Sequence, residues 1–100
     1  MQVVTQSTFD QEVLQSSVPV ICDFYATWCG PCKILAKTLD AMDAAADGSF
    51  KIVKVDTDDD TDLAAKYGIA ALPTVIVFKD GVEKKRFVGL VSEDKLKAEL

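Results

Sequence analysis

Two cysteines separated by two residues stand in the run Trp28-Cys29-Gly30-Pro31-Cys32-Lys33. This spacing serves two chemistries. It is half of a metal site, or it is a dithiol whose sulfurs close into a small ring and toggle with a disulfide. The chain holds 3 cysteines and no histidine, so one copy cannot complete a four-ligand Cys/His zinc site. An apolar run precedes the pair and a helical pattern follows it, which favours redox chemistry. At a helix start the unpaired N–H groups and the macrodipole stabilise negative charge. A thiolate at Cys29 lies over those donors, its pKa falls, and it becomes the attacking species in disulfide exchange. Pro31 suits the first turn, where no N–H is needed, and limits loop freedom. Cys32 lies one turn further in and is expected to be the more buried sulfur. Cys29 then attacks a partner disulfide, and Cys32 attacks Cys29 to release the reduced partner.

Two further features bear on this chemistry. Asp23 interrupts the apolar run Val18-Pro19-Val20-Ile21-Cys22-Asp23-Phe24-Tyr25. A carboxylate in a doubly buried strand is costly unless it pairs or stays protonated. Desolvation raises its pKa and suits it to accept a proton from Cys32; a frayed edge that meets water is the plainer alternative. Leu72-Pro73-Thr74 precedes a strand. Proline there reads as a trans residue punctuating a loop, with a cis turn as the alternative.

The elements that position these residues alternate. Val3-Val4-Thr5 reads as a short strand, and Ser7-Thr8-Phe9-Asp10 as a capping box opening a helix to about Gln15. Val18 to Tyr25 reads as a central strand. A long helix is predicted from about Cys32 to Ala46, with Leu35, Leu39 and Met42 as its buried stripe and Asp47-Gly48 as its end. Phe50 to Val55 is a strand, and a short helix ends at Tyr67-Gly68. Thr74 to Phe78 and Val82 to Val88 form a hairpin through Asp80-Gly81. Ser92 caps a final helix with Leu96 and Leu100 on its buried side. The order βαβαβαββα implies an α/β sandwich with a mixed sheet, and a single domain over residues 1–100.

Composition narrows the function. The chain has 100 residues, 49% hydrophobic and 27% charged, which excludes disorder and coiled coil. The net charge of −5 argues against nucleic acid. No apolar run approaches the roughly 20 residues of a membrane helix, and Met1-Gln2-Val3-Val4-Thr5 does not read as a signal peptide. The absence of histidine removes His-based triads and His pH switches. There is no GxGxxG and no Walker A motif, so no bound cofactor is expected. Cys22 alternates to the face opposite Asp23 and reads as a small buried hydrophobe. The acidic run from Asp56 to Asp62 reads as a solvated loop that caps the next helix, since it lacks the Gly and distal Glu of a calcium loop. Lys84-Lys85-Arg86 reads as an edge-strand guard.

Taken together, the chain resembles the thioredoxin family over essentially its whole length. Asp23-Phe24-Tyr25-Ala26, the Trp28 to Lys33 run, Lys66-Tyr67-Gly68-Ile69, Leu72-Pro73-Thr74, Gly81 and Gly89 carry the resemblance. A lowered pKa of the attacking cysteine is a known property of this family. The resemblance implies a thioredoxin fold: a five-stranded mixed sheet flanked by four helices. It implies a thiol–disulfide oxidoreductase that reduces disulfides in partner proteins and is re-reduced by a thioredoxin reductase. Cys29 takes the part of nucleophile, Cys32 of resolving cysteine, and Asp23 of the buried acid, with Lys54 near it. Pro73 takes the part of the cis-proline facing the disulfide, and Leu72 offers backbone hydrogen bonds to an extended substrate. Trp28, Gly30, Pro31, Leu72, Val88 and Gly89 form an apolar docking patch. A cytoplasmic monomer is the implied state. The chain departs from the family pattern at Lys37, Tyr25, Ala70-Ala71 and Thr57, which bears on partner preference. A disulfide oxidase or isomerase, a pure binding module and a metal site shared by two chains are the competing readings.

Overall fold

The computed structural model describes all 100 residues. In chain order the elements are β1 (Gln2–Val3), α1 (Gln6–Phe9, running on as a π-helical segment Asp10–Leu14), β2 (Val20–Tyr25), α2 (Gly30–Ala44), β3 (Lys51–Asp56), α3 (Thr61–Lys66), β4 (Thr74–Lys79), β5 (Val82–Val88) and α4 (Glu93–Lys97). The five strands form one sheet in the order β1-β3-β2-β4-β5. The first three run parallel, and β4 is antiparallel to both β2 and β5. This is the five-stranded mixed sheet with four helices expected from the sequence.

The apolar run of β2 lies in the middle of this sheet, with β3 on one side and β4 on the other. Its side chains alternate between two cores. Val20, Cys22 and Phe24 join Phe9, Val53, Leu63 and Phe78 on one face. Ile21 joins Leu35, Leu39, Met42, Val75 and Leu96 on the other. The predicted stripe of α2 is therefore what seals the second face. No helix is long and apolar enough to cross a membrane.

Several boundaries differ from the sequence reading. The first helix starts at Gln6, and its N-cap is Thr5, in extended conformation. The Thr8 hydroxyl accepts from the Thr5 N–H at 3.0 Å, so the box sits two residues earlier than Ser7. The first strand ends at Val3, one bonded residue short of the chain's departure from the sheet: Val4 is buried in the core and its N–H still bonds the Lys54 carbonyl. Helix α2 begins at Gly30 and ends at Ala44, since Cys29 serves as its N-cap and Ala45 as its C-cap. The hairpin turn is as predicted: Asp80 and Gly81 have φ of 54° and 78°, the pair of positive values that a two-residue turn matching strand twist requires. Gly81 is needed for space as well, because a Cβ there would lie 2.8 Å from the Leu14 carbonyl oxygen.

Candidate active site

Strand β2 ends at Tyr25, and α2 begins five residues later, so Ala26 to Cys29 form the turn between the most buried strand and the longest helix. Cys29 caps that helix. Its N–H bonds the Ala26 carbonyl at 3.2 Å, and its sulfur accepts from the Cys32 N–H at 3.2 Å. Cys29 and Cys32 are joined as a disulfide with Cα atoms 5.3 Å apart. When the bond is reduced, the same N–H is a donor already aimed at the Cys29 sulfur. Exposure separates the two sulfurs less than the sequence suggests: Cys29 is 5% exposed and Cys32 3%. Ala26, Tyr25 and Leu72 pack around them.

Asp23 is buried in the middle of β2, and its Oδ1 has no hydrogen-bond partner. Burial pushes its carboxyl up to about 7, against a weaker opposing pull from the Lys54 charge. The frayed-edge alternative is therefore excluded. Parallel register places Lys54 of β3 opposite Asp23. Its ammonium stands 5.1 Å from the centre of the Tyr25 ring. Asp23, Cys32 and Lys54 meet at a cleft of about 250 Å³ on the α2 side of the sheet, also lined by Tyr25, Lys33 and Met1. Cys22, on the opposite face, is fully buried; burial, and then the Asp23 charge, raise its thiol well above the ordinary range.

A second, larger groove of about 510 Å³ opens on the other side of the disulfide. Trp28, Gly30, Pro31 and Leu72, all from the predicted docking patch, line it with Cys29, and Thr57, Ile69, Ala70 and Ala71 complete it. Trp28 is 70% exposed, yet its indole is fixed by donating to Asp58 Oδ2 at 2.7 Å. The Leu72–Pro73 peptide bond is cis, as the resemblance implies and against the plainer trans reading. Pro73 is buried, and its carbonyl accepts from the Gly89 N–H at 2.8 Å. Val88 pairs with Thr74 in the hairpin register. Val88 and Gly89 thus flank the cis-proline loop without lining the groove itself. Leu72 makes no backbone hydrogen bond within the chain, so its N–H and C=O are free.

Sequence reasoning missed Ile69 as a wall of the groove, Asp58 as the partner of Trp28, and Met1 as a wall of the rear cleft. The first two sit in loops whose path nothing local dictates. Met1 reaches the cleft because β1 pairs with β3 beside Lys54.

Residues 1–100 match the thioredoxin family model. The chain is 46% identical to thioredoxin 1 of a Nostoc species, over 93% of this chain and 87% of that protein. It is 40% identical to a thioredoxin of Porphyra purpurea, over 97% of this chain and 91% of that one. With the mitochondrial thioredoxin of Mus musculus the identity is 48%, over 90% of this chain and 54% of the longer relative. A disulfide whose sulfur caps a helix, beside a groove with free backbone groups, agrees with these matches. The chain belongs to the thioredoxin family of protein-disulfide oxidoreductases, and Cys29–Cys32 is its redox-active disulfide.

Proposed function

We propose that the protein works in the reducing direction, as a single domain without a bound cofactor, on disulfides in partner proteins. In the dithiol form the Cys29 thiolate attacks one sulfur of the partner disulfide. The partner's S–S bond breaks, a mixed disulfide forms, and the departing thiolate takes up a proton. The Cys32 thiol then gives its proton to Asp23 and attacks the Cys29 sulfur. That step breaks the mixed disulfide, releases the second partner thiolate and leaves the Cys29–Cys32 disulfide. Two electrons pass to the partner in one cycle, and a thioredoxin reductase returns them.

The observation that carries this reading is the placement of Asp23. It is a buried carboxyl with an unpartnered oxygen, on the same cleft as Cys32, titrating at about 7. A group of that pKa takes and returns a proton near neutral pH with little driving force either way. Lys54 biases it from the opposite strand. Substrate enters on the other side, along Trp28, Gly30, Pro31 and Leu72, with Pro73, Val88 and Gly89 shaping the loop. The free N–H and C=O of Leu72 support pairing with an extended partner segment. A net charge of −5 opposes nucleic-acid binding. We place the protein in the cytoplasm as a monomer, where thiols are kept reduced.

The test is the midpoint potential of the Cys29–Cys32 pair, equilibrated in defined dithiol buffers. A strongly reducing value supports the reductase reading. A markedly oxidising value would replace it with an oxidase or isomerase role.

A further inference from the structure

We propose that Tyr25 is a positioning residue for the proton chemistry at Asp23: its ring seats the Lys54 ammonium at the mouth of the rear cleft and holds it off the buried carboxylate. Asp23 and Tyr25 are two residues apart in β2 and face the same side of the sheet. Parallel register sets Lys54 opposite Asp23, so its side chain has two seats within reach, the carboxylate and the ring. It takes the ring, at 5.1 Å from the centroid. No ion pair joins Lys54 to Asp23, and Asp23 Oδ1 stays without a partner.

The choice has a physical basis. Moving onto Asp23 would carry the ammonium below the surface and strip its water, a cost that offsets much of the attraction. Over the ring it stays half-exposed and meets the negative face of the π-system. Neighbouring charges favour the outer seat. Asp56 and Asp59 lie close enough to Tyr25 to raise its phenol pKa, after burial, and their charge also draws the ammonium outward. Lys33 of α2, exposed, also lines the cleft and adds a second positive charge to it. The amino group of Met1 is engaged by Asp43 at 3.6 Å, and Cys32 is uncharged while in the disulfide. The backbone that carries the ring is held at the end of the strand: the Tyr25 carbonyl accepts from both the N–H and the hydroxyl of Thr57, at 2.9 and 3.0 Å. With the ammonium held away, burial dominates at Asp23, and its carboxyl stays high.

The kinetic consequence rests on Asp23 as proton acceptor for Cys32, but the position of Lys54 does not. The Asp23 carboxyl is titrated directly by carbon NMR in the oxidised protein, with Tyr25→Phe and Tyr25→Leu variants, each in Lys54 and Lys54→Met backgrounds. Tyr25→Phe keeps the ring and leaves the midpoint where it was. Tyr25→Leu frees the ammonium to pair with Asp23 and lowers the midpoint by about 0.5 to 1 pH unit. In the Lys54→Met background Tyr25→Leu produces no drop. A Tyr25→Leu variant without a drop, with a rise, or with the same drop in both backgrounds overturns the proposal; the last outcome would make the ring a seal against water. If Tyr25→Leu does not fold, Tyr25→Gln removes the ring at similar length and is read the same way. If the midpoints move as described while the rate of Cys32 attack ignores them, the proton-acceptor role of Asp23 fails and the seat of Lys54 stands.

Discussion

The indole nitrogen of Trp28 and the carboxylate of Asp58, thirty residues apart in the chain, are hydrogen-bonded at 2.7 Å. The bond fixes the orientation of a side chain that would otherwise lie loose on the rim of the groove. Asp58 is itself set by its own backbone, since its N–H donates to Asp56 Oδ1 at 3.0 Å. An acidic loop read from sequence as solvated is therefore also the brace of the groove's aromatic wall.

Asp58→Ala removes that brace without touching the disulfide. A hydrogen bond to a charged but exposed acceptor is worth about 1 kcal/mol. We expect KM for a protein disulfide substrate to rise about three- to sixfold, with little change in kcat. Steady-state reduction of a model protein disulfide checks this. A fall in kcat at constant KM would place Asp58 in the chemistry instead.

Cys29→Ser should lose all disulfide reduction, because Cys29 is the cysteine that lines the larger groove, while Cys32 faces the rear cleft and Cys22 is fully buried. Cys32→Ser should still attack and should accumulate a mixed disulfide through Cys29. Mass spectrometry of the trapped species, before and after reduction, distinguishes the two. A trapped adduct on Cys32 in the Cys29→Ser protein would reverse the assignment of roles.

Asp23 makes stability depend on pH in a definite direction. Its carboxyl titrates at about 7 in the folded chain against 3.8 ordinarily. Below pH 4 both states hold the proton and there is no penalty. As pH rises from 4 to 7 the unfolded chain gives its proton up first, so folding loses stability. Above about 7 the loss is complete, at about 4 kcal/mol. Asp23→Asn abolishes this slope while leaving an amide to satisfy. We expect the variant to be more stable than the parent at pH 8 by about 1 to 3 kcal/mol, and the gain to shrink or reverse at pH 4. Denaturant unfolding of the oxidised proteins at the two pH values measures it. A difference that does not change with pH would mean that Asp23 is not titrating in this range. The same variant should slow the attack of Cys32 on the mixed disulfide most strongly near neutral pH.

Gly81→Ala should destabilise the fold by about 1 to 3 kcal/mol. The residue sits at φ 78°, and the added carbon would press on the Leu14 carbonyl oxygen. Thermal unfolding reads the loss. Disulfide reduction below the melting temperature should be unchanged, since the turn lies away from both the groove and the rear cleft.

What the chain reveals in advance follows the range of the forces involved. The strands were legible because burial on both faces imposes a continuous apolar run, as in Val20 to Tyr25. The stripe of Leu35, Leu39 and Met42 was legible because a helix repeats its buried face at fixed spacing. Helix α2 was predicted two residues late because its cap is a cysteine, a residue that gives no capping signal. The π-helical continuation at Asp10–Leu14 has no sequence signature at all. At the site, Cys29, Cys32 and Asp23 were legible from type and spacing. Asp58, Ile69 and Met1 were not, because each reaches the site through a loop or a strand pairing that no local pattern encodes.

The third sulfur gives the molecule an internal gauge of its own integrity. Cys22 lies in the strand at the centre of the sheet, walled by Val53 and Ile76 on the neighbouring strands and wholly shielded from solvent. Local fraying at the sheet edges or the groove leaves it sealed. In the oxidised protein, a thiol reagent therefore meets Cys22 only when the core that it shares with Phe9, Val13 and Leu63 opens. Its labelling rate against time reports that opening under native conditions, without denaturant and without any engineered probe.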